Sequence, residues 1–551
     1  MTTMQRRVGP TDVPNPRRLA GWIRPQRTLD VTAVDIALSA VLAALVLAVH
    51  DVAYMLRTPY WNDEAWVAIS IKAPLHNVQG VIASTPIGWD LLLRLAPSSV
   101  PHSARMIPLA FSALVVLVAY WYARSLPWRS VTTARIAAVS AGVLALVSPA
   151  ALVRNDLKQY TCDAFCVLLI LALTARTERR PGWRSLSILA AAGVALFMFA
   201  NPAALALVAG LASLGAAALI QRDWQRLRQI FAVGVTSALL VAFVYFEFYA
   251  NGNIPGLRHY WTNWFLPVSQ GPVATWHWFW GLAPAWFASV GVGPAVIAVP
   301  LLIASAIALA RLGQPATGAF LPMLLLEIGC LSAMKQYPMF DERTMTFAAV
   351  AYAVTVAIGT AYWVSRIRAS SGGVWLPVLL VGCVAIWHLR DGRQHSVPQQ
   401  PTAADVASIK AGYQPGDAIL ANVDSTWAIG YYWGGPVRIV RSIHTQQKFR
   451  AYLVNGPTTM DLCPETVDGT AGLPGYPLCG TSASIAAALD RAALAAGPHH
   501  RVWFYNLEGR YPDTQATEAW AKAHHYALVR PDNTRGTMLA LLYPKPRTTR
   551  N

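Results

Sequence analysis

From about residue 32 to about residue 391 the chain alternates long apolar runs with short polar, basic or aromatic interruptions. The first run, about 32–55, is long enough to span a bilayer at about 1.5 Å per helical residue. Further runs lie at about 104–123, 132–152, 157–175, 185–200, 202–220, 229–248, 290–310, 317–334, 345–364 and 374–390. The pattern predicts about eleven spanning helices. The stretch 274–290 (ATWHWFWGLAPAWFASV) is apolar but crowded with tryptophan. It reads as an interfacial or re-entrant segment, with a twelfth span as the alternative. No internal repeat of short period is visible.

Residues 1–31 are polar, Pro-rich and basic, and read as a cytosolic tail. The apolar run that follows is too long for a signal peptide and lacks a small-x-small cleavage site, so a retained anchor is expected. Residues 32–391 form the transmembrane part. From 392 to 551 the pattern changes to short β-branched or alternating runs (418–422, 437–440, 501–506, 537–543) with helical stretches at about 402–411, 443–453, 483–496 and 515–524. This is the pattern of a small mixed α/β domain. The fold class expected is a polytopic α-helical membrane protein followed by such a domain.

Composition narrows the class. Of 551 residues 55% are hydrophobic and 13% charged, with a mean hydropathy of +0.38. A soluble chain carries roughly twice that charge, so disorder, a coiled coil and an ordinary cytosolic enzyme are excluded. The net charge of +17 sits on arginines between apolar runs, which reads as orientation charge beside anionic lipid and not as a nucleic-acid surface. With the N-terminus inside, the inner loops hold Arg124, Arg129, Arg135, Arg176, Arg179, Arg180, Arg184, Arg222, Arg226, Arg228, Arg311, Arg366 and Arg368, and the outer loops hold fewer. An odd number of spans then places the C-terminal domain outside the cytoplasm, at the plasma (inner) membrane. Cys463 and Cys479 lie in a Gly/Pro-rich loop of that domain, where a disulfide would suit an oxidising compartment. Cys162, Cys166, Cys330 and Cys383 sit in apolar runs and read as small hydrophobes.

Polar residues near membrane depth are costly and usually have a role. Here they gather on the outer side. The first outer loop opens with Pro59-Tyr60-Trp61-Asn62-Asp63-Glu64-Ala65-Trp66, two adjacent acids in an aromatic frame. Arg154-Asn155-Asp156-Leu157-Lys158-Gln159-Tyr160 follows the third run. Asn201-Pro202 makes a tight outer turn. Loop 251–273 carries Arg258, His259, Tyr260 and Trp261. Lys335-Gln336-Tyr337-Pro338 precedes Asp341-Glu342-Arg343. Each alone reads equally as interface decoration, as snorkelling anchors or as a hairpin turn. Together they place carboxylates, phosphate-pairing cations and ring faces on one side. That set suits transfer of a sugar from a lipid phosphate to a hydroxyl: cations hold the phosphate, a carboxylate takes the acceptor proton, and aromatic rings cover the sugar.

The first-loop Trp-x-Asp-Glu-Ala, the Arg/Lys–Tyr segment at 154–160 and the Tyr-Pro…Glu-Arg segment at 337–343 resemble the GT-C glycosyltransferases. The branch is the one containing protein O-mannosyltransferase-like, aminoarabinose-transferase-like and RgtA/B/C/D-like enzymes. The resemblance covers about 32–391. It implies eleven to thirteen spans, amphipathic helices in the first outer loop (86–97 is one candidate), and an acidic base there. By position Asp63 is that base and Glu64 orients the acceptor or the base, though the resemblance does not fix which of the two acts. Arg154, Lys158, Lys335 and Arg343 become candidates for the donor phosphate, and Tyr160, Tyr337, Asn201, Trp61 and His259 for the substrate. The expected reaction is inverting transfer from a polyprenyl-phosphate-linked sugar to a cell-envelope glycan, glycolipid or protein. No cofactor is expected. The first loop lacks a DxD pair, so no essential metal is expected either. The expected partners are membrane lipid, the lipid-linked sugar and the acceptor. The competing reading is a flippase or transporter of lipid-linked sugar, against which stand mostly Ala/Leu/Val spans with charges at their outer ends. Trp427, Tyr431, Tyr432 and Trp433 of the last domain suit either carbohydrate stacking or core packing.

Overall fold

A computed structural model describes residues 30–50, 52–75, 85–97, 100–148, 157–250, 261–290, 295–367, 382–383, 400–435, 438–441, 451–454, 457, 459–462, 482–498, 500–507, 511–532 and 538–545. Arg154, His259, Cys463, Cys479, nearly all of the tail 1–31 and most of the run 374–390 lie outside the described residues.

The apolar runs are helices. They are α1 (Ala33–Val49), α5 (Met106–Ser125), α6 (Val131–Val147), α7 (Tyr160–Arg179), α8 (Trp183–Phe197), α9 (Pro202–Ile220), α10 (Trp224–Val244), α12 (Ala295–Arg311), α13 (Pro315–Ala333) and α14 (Thr346–Ile367). Six helices are long and apolar enough to cross a membrane, and α1, α6, α8 and α12 are shorter apolar helices of 10–17 residues. The first run ends earlier than expected. It breaks after Val49, and a short helix α2 (Val52–Arg57) follows. Two more short helices, α3 (Asn62–Ser70) and α4 (Ile87–Leu93), fill the first loop.

Buried polar bonds tie the helix ends into two opposite sets. At one end Asp35 at the start of α1 pairs with Arg124 at the end of α5 (2.9 Å) and with Arg135 in α6 (3.1 Å). At the same end Arg179 of α7 reaches the carbonyl of Ser125, and Glu178 accepts the backbone N–H groups of Ala316 and Thr317 that open α13. At the other end the Gly88 N–H donates to the Met198 carbonyl, and the Trp89 indole donates to the Leu157 carbonyl just ahead of α7. The tryptophan-rich stretch forms α11 (Pro272–Ser289). Trp278, Phe279 and Trp286 all meet Phe340, and Phe287 meets Tyr352 near the start of α14. Both halves of α11 therefore stay at this second end of the bundle.

The C-terminal residues form a five-stranded sheet of order β4-β1-β5-β7-β6. Its strands are β1 (Ala418–Ala421), β4 (Thr459–Asp461), β5 (Val502–Asn506), β6 (Tyr526–Asp532) and β7 (Met538–Pro544). β1 runs parallel to β4 and β5, and β7 is antiparallel to β5 and β6. A separate ribbon pairs β2 (Arg438–Arg441) with β3 (Ala451–Val454). A helix expected at 443–453 is therefore corrected at its end: the aromatic and β-branched residues of AYLV pair as a strand. The alternation of β5 separates two cores. Val502 and Phe504 face α17 (Ser482–Ala496) and α18 (Tyr511–Ala523), with Ile485, Leu489 and Trp520. Trp503 and Tyr505 face α15 (Thr402–Gly412) and α16 (Val423–Tyr432), with Val406, Ile409, Ala428 and Ile429. Ala65 of α3 belongs to this second core and is fully buried in it.

Candidate active site

Helix α3 carries the two adjacent acids in its first turn, where the helix dipole favours negative charge. Three of its leading N–H groups have side-chain acceptors. Glu64 accepts from Trp61 at 3.3 Å, Asn62 Oδ1 accepts from Asp63 at 2.8 Å, and Gln400 Oε1 accepts from Asn62 at 2.8 Å. Successive helical positions differ by about 100° in direction, so Asp63 and Glu64 point to different sides. Glu64 turns inward and pairs with Arg105, and both side chains are wholly buried. The same guanidinium donates to the carbonyls of Met55, Thr58 and Pro59. Arg105 thus ties the chain leaving the first span to the helix that follows it. A carboxylate closed into that pair presents no surface to a substrate, and the pair holds α3, the helix that carries Asp63, in place.

Asp63 turns the other way and pairs with Arg343, 280 residues further along. Both side chains keep partial exposure, 20% for the aspartate and 25% for the arginine. Arg343 projects from the turn before α14. Asp341 Oδ1 accepts the N–H groups of Arg343 and Thr344, and Tyr337 Oη donates to the Thr344 carbonyl at 2.8 Å. The guanidinium lies 5.4 Å from the Trp61 ring and 5.9 Å from the Tyr160 ring. Asp63, Arg343, Trp61 and Tyr160 therefore stand together, drawn from three distant segments.

Lys158 is buried and lies 4.6 Å over the Trp66 ring, on the same helix α3. Tyr337 serves the Arg343 turn from below. Lys335 is exposed at a left-handed position (φ 56°) beyond α13, and Asn201 is exposed at the start of α9. No contact among the described residues brings either of these two to Asp63. Trp427 stacks on Trp66 at 4.4 Å, and Tyr431 and Tyr432 pack around Tyr60, so these rings serve packing between segments. Trp433 meets Tyr413.

At the Asp63 end of the bundle three buried ionisable residues were not picked out from the sequence. Arg105 is one. Asp90 of α4 is another: Thr85 Oγ1 donates to its Oδ1 at 2.8 Å, while Oδ2 has no partner. Burial pushes its pKa up to about 7, against the pull of Thr85, Lys158 and Arg94. Asp163, one turn into α7, also keeps a buried oxygen without a partner. The available signal was an ionisable residue inside the end of an apolar run, which is expensive unless it has work to do. No three metal-ligating side chains gather in one group among the described residues.

No family model matches this chain, and no curated protein does either. Solved structures match in fold. ArnT from Cupriavidus metallidurans bound to undecaprenyl phosphate superposes with a TM-score of 0.51 at 14% identity, covering 93% of this chain and 98% of that one. The archaeal oligosaccharyltransferase AglB from Archaeoglobus fulgidus, in complex with an inhibitory peptide and a dolichol-phosphate, gives 0.51 at 11% identity, covering 92% of this chain and 75% of that one. The fold is that of the GT-C glycosyltransferases.

Proposed function

We propose that this GT-C-fold chain transfers a sugar from a polyprenyl-phosphate carrier to a hydroxyl of a cell-envelope glycan, glycolipid or protein, on the outer face of the membrane. The ArnT and AglB structures that share its fold hold undecaprenyl phosphate and a dolichol-phosphate. The observation that carries the reading is the ion pair between Asp63 and Arg343, framed by Trp61 and Tyr160. It brings a proton acceptor and an anion partner to one partly open point.

In this reading Asp63 takes the proton of the acceptor hydroxyl as its oxygen attacks the anomeric carbon. The bond from that carbon to the phosphate oxygen breaks, and the phosphate leaves with the bonding pair, inverting the centre. Arg343 meets the phosphate charge. Before the donor arrives Arg343 is engaged by Asp63. A bound phosphate competes for the guanidinium and leaves the carboxylate able to accept a proton. Lys158 and Arg154 are the further cations proposed for the phosphate. Lys335 and Asn201 are proposed only for the outer rim, His259 and Tyr337 for the substrate side.

The test is an in vitro transfer assay with a panel of polyprenyl-phosphate sugars. Asp63→Asn should abolish transfer in protein that still folds and inserts. Arg343→Ala should raise the donor KM more than the acceptor KM. Full transfer by Asp63→Asn would remove it as the base, and lipid translocation without transfer by the wild type would replace the enzyme reading with a transporter.

A further inference from the structure

The C-terminal α/β unit does more than stand beside the first loop. Three of its side chains bond to the backbone immediately ahead of Asp63. Tyr432 Oη accepts the Tyr60 N–H at 2.6 Å, Thr402 Oγ1 donates to the Tyr60 carbonyl at 2.6 Å, and Gln400 Oε1 accepts the Asn62 N–H at 2.8 Å. Both backbone polar groups of Tyr60 are thus satisfied from residues some 340 or more positions away. Thr402 is fully buried. The Tyr432 hydroxyl is itself held. His102 Nδ1 lies 2.9 Å from the Leu56 carbonyl, which can only accept, so His102 Nε2 is the acceptor that faces Tyr432 Oη at 3.2 Å. Packing follows the same route. Ala65, two residues after Asp63, is buried in the core that Ile419, Trp503 and Tyr505 build on one face of the sheet, and Trp66 stacks flat on Trp427 (7° between planes).

Helix α3 is therefore covered from both sides, by Arg105 of the bundle and by the α/β unit. From this geometry we infer that the α/β unit is a working part of the site, and that Tyr432, Thr402 and Gln400 are positioning residues that aim Asp63. A loop helix of nine residues has little stability of its own. Its N-terminal direction, and with it the direction of Asp63, is set by what accepts its first N–H groups. Gln400 does so in trans at Asn62, one residue ahead of the proposed base. The inference rests on Asp63 acting as the base.

The experiment uses the full chain and compares Tyr432→Phe, Thr402→Val and Gln400→Leu with the wild type and with Asp63→Asn. Misplacing a reacting group by about 1 Å costs up to roughly a hundredfold in rate. Each variant should lose kcat by tenfold or more, with the donor KM within about twofold. Thr402→Ser and Gln400→Glu, which keep the donor or acceptor atom, should recover turnover. Hydrogen exchange should accelerate across residues 58–66 in Tyr432→Phe and Gln400→Leu, and stay unchanged across 337–345. If Asp63→Asn is dead while the three variants keep wild-type kcat, the inference falls and the base assignment stands. If Asp63→Asn transfers normally, the base assignment falls. Exchange of residues 58–66 then decides the clamp alone, and unaltered protection overturns it.

Discussion

Asp63 and Glu64 are neighbours with opposite surroundings, and the difference is one of helical direction. Glu64 lies in a fully buried pair with Arg105. Breaking such a pair from one side leaves an uncompensated charge and costs about 3–5 kcal/mol, whereas replacing both partners is often close to neutral. Arg105→Met should therefore lower the thermal midpoint in detergent sharply, and Glu64→Gln combined with Arg105→Met should restore most of it. A double variant no more stable than Arg105→Met would show that Arg105 acts through the carbonyls of Met55, Thr58 and Pro59 alone. Asp90 poses the pH question. Its pKa, raised by burial to about 7 from an ordinary 3.8, makes its contribution fully favourable below about pH 4 and progressively lost as pH rises towards 7. Asp90→Asn should gain stability over the wild type at pH 8 and little at pH 4, measured as the difference in midpoint at the two pH values. An equal difference at both would mean that its carboxyl is not the titrating group. The acids of the first loop were legible as a motif, because aromatic neighbours and adjacency marked them. Which of them faced inward was not, because that depends on Arg105, 41 residues beyond Glu64, and on Gln400, 338 residues beyond Asn62.

The helices were the most readable elements, since a run of some twenty apolar residues has few other fates. Their packing was not readable. Several glycines sit where helices nearly touch, and Gly318 of α13 is one of them. A Cβ there would lie 2.6 Å from the Ala306 carbonyl oxygen of α12, a backbone atom that cannot rotate aside. Gly318→Ala gains about 1 kcal/mol of helix propensity but forces the two helices apart, an overpacking penalty of about 1–3 kcal/mol. The clash should win, with a lower midpoint and no gain in activity; a higher midpoint would show that α12 yields. The strands of the C-terminal unit were half legible for a different reason. β5 is buried at all five positions, so it shows no polar alternation, and its two faces can be told apart only by the helices that cover them. Helix α16 was missed because its sequence, VDSTWAIGYY, is short and rich in residues that serve strands equally well.

Across the whole molecule the bonds between helix ends fall into two opposite sets. Asp35 with Arg124 and Arg135, Arg179 with Ser125, Arg226 with the Thr177 carbonyl and Glu178 with the start of α13 all lie at one end. Tyr249 on the Phe197 and Met198 carbonyls, Thr161 on the Pro108 carbonyl and Arg343 on Asp63 lie at the other. The arginine-rich end is the one that the positive-inside rule assigns to the cytoplasm. Because Tyr432 and Gln400 bond to the segment 60–62, the α/β unit must share a side with Asp63. A membrane-impermeant thiol reagent applied to intact cells, in a background without native cysteines, should label Gln336→Cys and Leu494→Cys, which are exposed at the Asp63 end and on α17. It should leave Arg180→Cys and Gln221→Cys, exposed at the opposite end, unlabelled until the cells are opened. The reverse pattern would put Asp63 and its arginine in the cytoplasm, where soluble nucleotide sugars are the ready donors. The pattern in which Gln336 and Leu494 report different sides would be the graver result, since no arrangement of the bundle could then keep Tyr432 bonded to Tyr60.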